Sequence, residues 1–456
     1  MSARSLHRSF FLALAPSLAL GCAAAHEGPV RDDLRATART LDAPDAPERP
    51  PPDGPAASYV AYAMARSPAL RAAYQRWRAE TLRIAPARQL PDPTIAYGFY
   101  ALPVQTRVGP QRHRLSARQE IPWPTRLTGA ADAQGARARA AQRRFEARAL
   151  DLRRRVAEAW WRIWVLRRVR DVQREQLEIL AGLAETARAR LEVGEAGLAE
   201  VQPIDLRRSR LDDALQSLAL QERAAAAALR AAIGASPDLP VPTPAEVPPP
   251  ALPGEETEAL RRAVRTHPLL ETFALAAEAR EAEAASLEAR RFPSFTVGVD
   301  WIETGPAPTP VQGSGDDALI LNLGVRVPLW QGAYDDAQRA AEAEAEAERA
   351  DGRAAEDAAL AELVEAHSAV VDSHRRIELL RGTLLPQAVA AYEAVVGSYA
   401  AGRAGVADTL WAQRDLLELT VELARARADH GRAWARLERV VGRPVRTADR
   451  REGGDR

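Results

Sequence analysis

The chain has 456 residues, of which 46% are hydrophobic and 27% charged, a balance typical of folded polypeptide with room for two or three domains. Its 62 basic residues, all of them Arg, are matched by 62 acidic ones, so no concentrated basic face argues for a nucleic-acid partner. The single cysteine excludes an intrachain disulfide and a cysteine-built metal site.

At the start, Arg4 and Arg8 precede a short apolar core, Phe10 to Leu20, too short to span a bilayer as a helix and readable as a signal peptide over residues 1–21. Cys22, the sole cysteine, follows at once. It sits where a bacterial lipoprotein signal is cut and acylated, and that resemblance implies an outer-membrane lipid anchor, although Ala19-Leu20-Gly21 departs from the usual residue order. Residues 22–57, rich in Pro, Asp and Ala, are expected to form a tether without apolar periodicity.

Residues 58–235 form the first of two similar halves. A helical stretch at 68–90 gives way to strict alternation at 94–102, where Ile95, Tyr97 and Phe99 oppose Ala96 and Gly98, and again at 112–121. From Thr125 to Val193 there is no proline, and an Ala, Arg, Glu and Leu-rich composition favours one helix of roughly 100 Å. Gly194 and Gly197 mark a turn. A second helix, Leu198 to Ile233, carries Pro203 in its first turns, where a missing N–H costs little.

After a Pro-rich linker, 236–257, the pattern recurs in residues 258–445, with strands at 294–302 and 318–327 and long helices at 334–400 and 406–441; a tail, 446–456, follows. Pro386 predicts a kink or break in the first of these helices. The Pro68/Pro268 and Pro93/Pro293 pairs are 200 residues apart, the Pro122/Pro328 pair 206, and the Gly194/Gly402 and Gly234/Gly442 pairs 208. Offsets that stay constant within elements and change across loops identify a tandem duplication.

Strands of about ten residues with one apolar and one small or charged face fit a membrane barrel wall. Four cannot close a barrel, and an edge left open in lipid strands its backbone groups, so other subunits must complete the sheet.

Two helix–β-hairpin–helix repeats with Gly turns resemble the TolC-type outer-membrane efflux proteins over about residues 58–445. The motifs are Asp92-Pro93, Ile121-Pro122-Trp123-Pro124, Val327-Pro328-Leu329-Trp330-Gln331-Gly332, and Tyr399-x-x-Gly402 followed by Leu410-x-Ala412-Gln413-Arg414-x-Leu416. The resemblance implies a mainly α protein with a transmembrane β-barrel: a homotrimer with twelve strands and a periplasmic helical tunnel. Its partners would be a periplasmic adaptor and an inner-membrane pump of the RND type. Pro122-Trp123-Pro124 is similar to segments of heavy-metal efflux members, but no Met or His ladder accompanies it.

Enzyme chemistry has no visible site. His367 and His374 are two helical turns apart, too far to share a metal, and Glu342 to Glu348 reads as a solvated helix face; neither cofactor nor metal is expected. Trp160, Trp161 and Trp164 are expected in helix packing, while Trp123 and Trp330 suit either an aromatic belt or the joint beneath the barrel. The candidate aperture residues are Glu200 and Asp408, each six residues after the first turn glycine, with Arg403 and the turn glycines Gly194, Gly197, Gly402 and Gly405. Rings of like charge at a constriction select for counter-charged ions. The alternative is a periplasmic coiled-coil scaffold or adaptor that forms no pore.

Overall fold

The computed structural model describes residues 27–41, 54–194, 197–241 and 251–448; the signal segment and Cys22 lie outside them. The duplication is visible as two copies of one element series. Repeat 1 comprises α2 (Ala56–Arg66), α3 (Pro68–Leu82), α4 (Ile84–Ala87), β1 (Thr94–Thr106), β2 (Gly109–Ile121), α5 (Pro124–Glu192) and α6 (Leu198–Ile233), preceded by α1 (Glu27–Leu41). Repeat 2 comprises α7 (Thr257–Arg265), α8 (Pro268–Glu288), β3 (Ser294–Thr304), β4 (Ala318–Arg326), α9 (Gln331–Leu379), α10 (Leu385–Ala400) and α11 (Val406–Val441). Among the described residues no helix is long and apolar enough to cross a membrane.

The chain divides into two compact units. One takes residues up to Arg35, Gln75–Gln142 and Thr272–Gly352, and holds the whole sheet. Its strands form an antiparallel meander in the order β1-β2-β3-β4, which leaves β1 and β4 as the edges. A two-residue turn joins β1 to β2, whereas residues 305–317 separate β3 from β4, the longer second hairpin that the step from 200 to 206 requires. Beneath the sheet, α5 lies along α8. Ser286 donates to the Arg126 carbonyl (2.9 Å), and a side chain at Gly129 would meet the Ser286 backbone at 3.1 Å.

The second unit takes Ala36–Tyr74, Arg143–Glu271 and the chain from Arg353 onward. Buried Leu152, Val156, Trp160 and Ile163 recur every three or four residues along α5 and pack with Tyr59 and Tyr62 of α2 and Leu229 and Ile233 of α6. Trp160 and Trp164 are buried, with Trp161 edge-on to both at 4.9 and 5.4 Å, in keeping with the packing role expected of them. Helices α6 and α11 stop at Gly234 and Gly442, whose φ of 67° and 80° lets the chain turn without a Cβ clash.

Three sequence expectations need correction. Residues 22–57 are not uniformly irregular: α1 forms there, with Val30 buried against Ile84, Ala131 and Ala138. The 68–90 helix divides at Arg83, because Pro86 has no N–H to continue the ladder. β1 and β2 extend beyond the expected 94–102 and 112–121; Pro103 falls where the register slips between Phe99 and Val104, and that bulge hides the alternation. The break expected near Pro386 is a π-helical segment, Leu380–Leu384, just ahead of it.

Repeat 2 contains a capping residue that the sequence reading missed. His267 precedes Pro268 at the start of α8; its Nδ1 accepts from the Leu269 N–H (3.0 Å) and its Nε2 donates to the Arg439 carbonyl (2.9 Å). Ser67 holds the matching place in repeat 1, where Oγ accepts from Leu70 N–H (3.4 Å). Burial, with Arg439 close by, lowers the His267 pKa from 6.5, although the Arg439 carbonyl and Glu362 oppose the shift. A lowered folded pKa means that the unfolded chain binds the proton first, so stability is full above pH 6.5 and declines as the pH falls through that value. His267→Ser, which restores the repeat 1 residue, is expected to flatten thermal stability between pH 7 and pH 5; an unchanged pH slope would rule the imidazole out as its source.

Candidate functional site: the sheet wall and the helical tip

The strand register assembles the apolar rows into one face. Ile95, Ala117, Val299 and Leu321 lie side by side, as do Tyr97, Leu115, Trp301 and Leu319. Leu321 is 82% exposed and Leu323 77%, values foreign to a soluble sheet packed on a core. Polar ends gather at one rim: Tyr97 Oη lies 2.6 Å from His113 Nδ1, and Trp301 donates to Asp317 at 3.1 Å. At the other end Trp123 stacks on Phe292 at 5.0 Å while Trp330 is exposed, so the two residues read together in the sequence have different surroundings.

The opposite face is polar and cross-linked. Asp300, almost wholly buried, accepts from Arg114 (2.8 and 3.3 Å) and from Asn322 Nδ2 (2.7 Å), with Arg118 at 3.9 Å. Gly298 leaves room for Arg118, whose Cγ would lie 3.0 Å from a Cβ there. Glu120 accepts from Arg326 (3.0 Å) and Ser294 (3.2 Å). Three strands are therefore tied by charge on the face away from the apolar rows. The partners of Asp300 depend on a register set across 186 residues of chain, which no local pattern in the sequence gives.

At the helical tip, Gly194 (φ 79°) and Gly402 (φ 68°) take left-handed conformations that end α5 and α10, and Gly197 and Gly405 are the N-caps of α6 and α11. Glu200 and Asp408 each occupy the third helical residue. Asp408 caps α11 by accepting from the Gly405 N–H (3.0 Å). Glu200 instead lies 3.9 Å from Arg190, whose guanidinium also sits over the buried Tyr399 ring at 5.4 Å. Arg403 is exposed, with no ion pair among the described residues. Between α6 and α11 an open groove of about 460 Å³ is lined by Glu200, Pro203, Leu206, Val406, Leu410 and Trp411; Asp408 does not line it. No group of three or more His, Cys, Asp or Glu among the described residues could hold a metal.

One antiparallel sheet, apolar on one face and joined to long helices, is the fold that the chain shares with solved outer-membrane channels. It is the fold of the TolC-type efflux proteins, and residues 259–443, nearly all of the second repeat, match the family model described as Outer membrane efflux protein. The chain is similar to a membrane protein from Pseudomonas aeruginosa, with TM-score 0.72 and 16% identity over 86% of this chain and 90% of that one. It is similar to the outer membrane protein VceC from Vibrio cholerae (0.71, 17%, 86% and 97%) and to the MtrE outer membrane channel of Neisseria gonorrhoeae in its open state (0.68, 17%, 86% and 90%). No curated protein sequence matches the chain.

Proposed function

We propose that three copies of this chain close a twelve-stranded barrel in the outer membrane and conduct, without chemistry of their own, solutes delivered by an inner-membrane pump through a periplasmic adaptor. The observation that carries the reading is the four-stranded sheet with an exposed, registered apolar face and β1 and β4 at its edges. Those edges would each leave a row of backbone groups unpaired in lipid, at several kcal/mol a group, unless a neighbour supplies the next strand. Detergent-extracted protein should have the mass of a trimer and conduct ions in a planar bilayer. A detergent-independent monomer would return the coiled-coil scaffold as the better reading.

The finer assignments follow from resemblance. An RND-type pump is the partner expected of this family, and exposed Val193, Leu198 and Trp411 supply apolar surface at the tip for an adaptor. Pro122-Trp123-Pro124 supports the heavy-metal branch, which loss of metal-cation resistance on deletion of the chain would test. Acylation of Cys22 would anchor each protomer. Cys22→Ser should then accumulate precursor and lose labelling by a fatty-acid analogue while keeping part of its export, and equal labelling of both forms would remove the anchor from the account.

Glu200 and Asp408 are the carboxylates we assign to the aperture. Glu200→Gln with Asp408→Asn keeps side-chain size and leaves an acceptor to cap α11, so the variant should still assemble. Cation preference in single-channel recordings should fall, because the potential in a narrow pore scales with the number of carboxylates. Unchanged permeability ratios in assembled trimers would place both groups on the outer surface.

A further inference from the structure

Within the chain, the two repeats meet where β2 pairs with β3 and α5 packs along α8. Ala133, Ala136 and Ala140 of α5 are buried there, and two ion pairs flank them: Arg137 with Glu283 and Arg139 with Glu278, both at 2.5 Å. β2 leads into α5, and α8 leads into β3, so the helix contact accompanies the strand contact. Each repeat also carries the unused half of such a junction: β4 leads into α9, and α3 leads through α4 into β1, yet β4 and β1 stand at opposite edges of the sheet.

The two unused halves are complementary, with the charges of these two pairs inverted. At the offset of 200, Arg78 of α3 and Arg83, where α3 gives way to α4, stand where α8 has Glu278 and Glu283. Burial aligns α9 with α5 at an offset of 207, since Ala341 and Ala345 are buried where Gln134 and Ala138 are. That alignment places Glu344 and Glu346 at the positions of Arg137 and Arg139, and puts Ala340, Ala343 and Ala347 at those of the buried alanines. All three of these alanines are exposed, as is Leu82 of α3, at 51%. Glu344 touches Arg280 (2.9 Å) and Arg83 touches Glu80 (2.5 Å), but both remain more than half exposed.

We propose that α9 of one protomer receives α3 of a second copy of this chain, with Glu344 against Arg83 and Glu346 against Arg78 of the neighbour. The proposal rests on the trimeric channel reading and specifies its subunit contact. α9 and α3 cannot meet within one chain, because the sheet separates them to its two edges. The inversion serves specificity: Glu344 and Glu346 set against the Glu278 and Glu283 face of α8 would repel, as would Arg137 and Arg139 set against Arg78 and Arg83, whereas the head-to-tail contact that closes the ring brings opposite charges together.

The test uses the full chain extracted in detergent, at physiological salt, with helix content followed by circular dichroism. Glu344→Arg with Glu346→Arg, or Arg78→Glu with Arg83→Glu, should each lower the trimer fraction at least tenfold, and the fourfold combination should restore it. In a second arm, Arg78→Cys and Glu346→Cys in a Cys22→Ser background should give covalent trimers with a short bis-maleimide, whether or not the charge variants fold. A wild-type monomer would overturn the channel reading itself. A wild-type trimer that neither crosslinks at these cysteines nor responds to either reversal would overturn this contact alone.

Discussion

Leu321→Arg is expected to abolish membrane assembly. Its row, Ile95, Ala117, Val299 and Leu321, lies midway along the apolar face, between the row of Phe295 and that of Glu303. An Arg at the bilayer midplane of a barrel costs about 2–4 kcal/mol per chain, and the cost would recur in each of three copies. Ile320→Arg, one residue earlier, is the matched control. Ile320 shares a row with Ser116 and Asp300 on the polar face, where a guanidinium meets water and a carboxylate. Outer-membrane fractionation and resistance of the trimer to detergent should separate the two variants; equal behaviour would mean that the exposed apolar face does not meet lipid.

Gly431→Ala is expected to destabilise the helical unit. A Cβ at Gly431 of α11 would lie 2.0 Å from Cε2 of Trp161 on α5, far inside contact distance, so the indole must move. Cavities of about 420 and 290 Å³, each lined by Trp161 and Gly431, give the ring somewhere to go. Overpacking relieved in this way costs about 1–3 kcal/mol. The diagnostic is coupling: Trp161→Leu lowers stability alone but should remove most of the Gly431→Ala penalty when the two are combined. Additive losses in thermal unfolding would show that the glycine is needed for another reason.

Much of this architecture is legible in the sequence because its signals are local. α6 and α11 match their expected bounds, 198–233 and 406–441, since a left-handed glycine at the end and a turn glycine at the start leave little choice. Asymmetric alternation revealed the strands, but only where no bulge interrupted it. α1 escaped notice because Val30, Leu34 and Leu41 are sparse among charged residues, and its stability comes from Ile84, Ala131 and Ala138, distant in sequence. The tip shows the same limit. Glu200 and Asp408 are equivalent by position, yet one meets Arg190 and the other caps its own helix, a divergence that depends on partners brought in by packing. Nor does any local pattern announce the Asp300 network, which exists only once three strands are in register.

The π-helical segment Leu380–Leu384 also explains a discrepancy in counting. Repeats aligned at an offset of 207 near Ala345 are aligned at 208 by Gly402, so the second copy is one residue longer in between. In an α-helix a single insertion turns everything beyond it by about 100°, which would swing the tip of repeat 2 out of phase with that of repeat 1. A π turn absorbs the added residue as a local bulge and lets the downstream helix keep its heading. Pro386, whose missing N–H would have bonded near Gly382, lowers the cost of breaking the ladder at that point. The segment thus accommodates the extra residue of the second repeat, and it marks where a duplicated helix can differ in length while its end keeps pointing the same way.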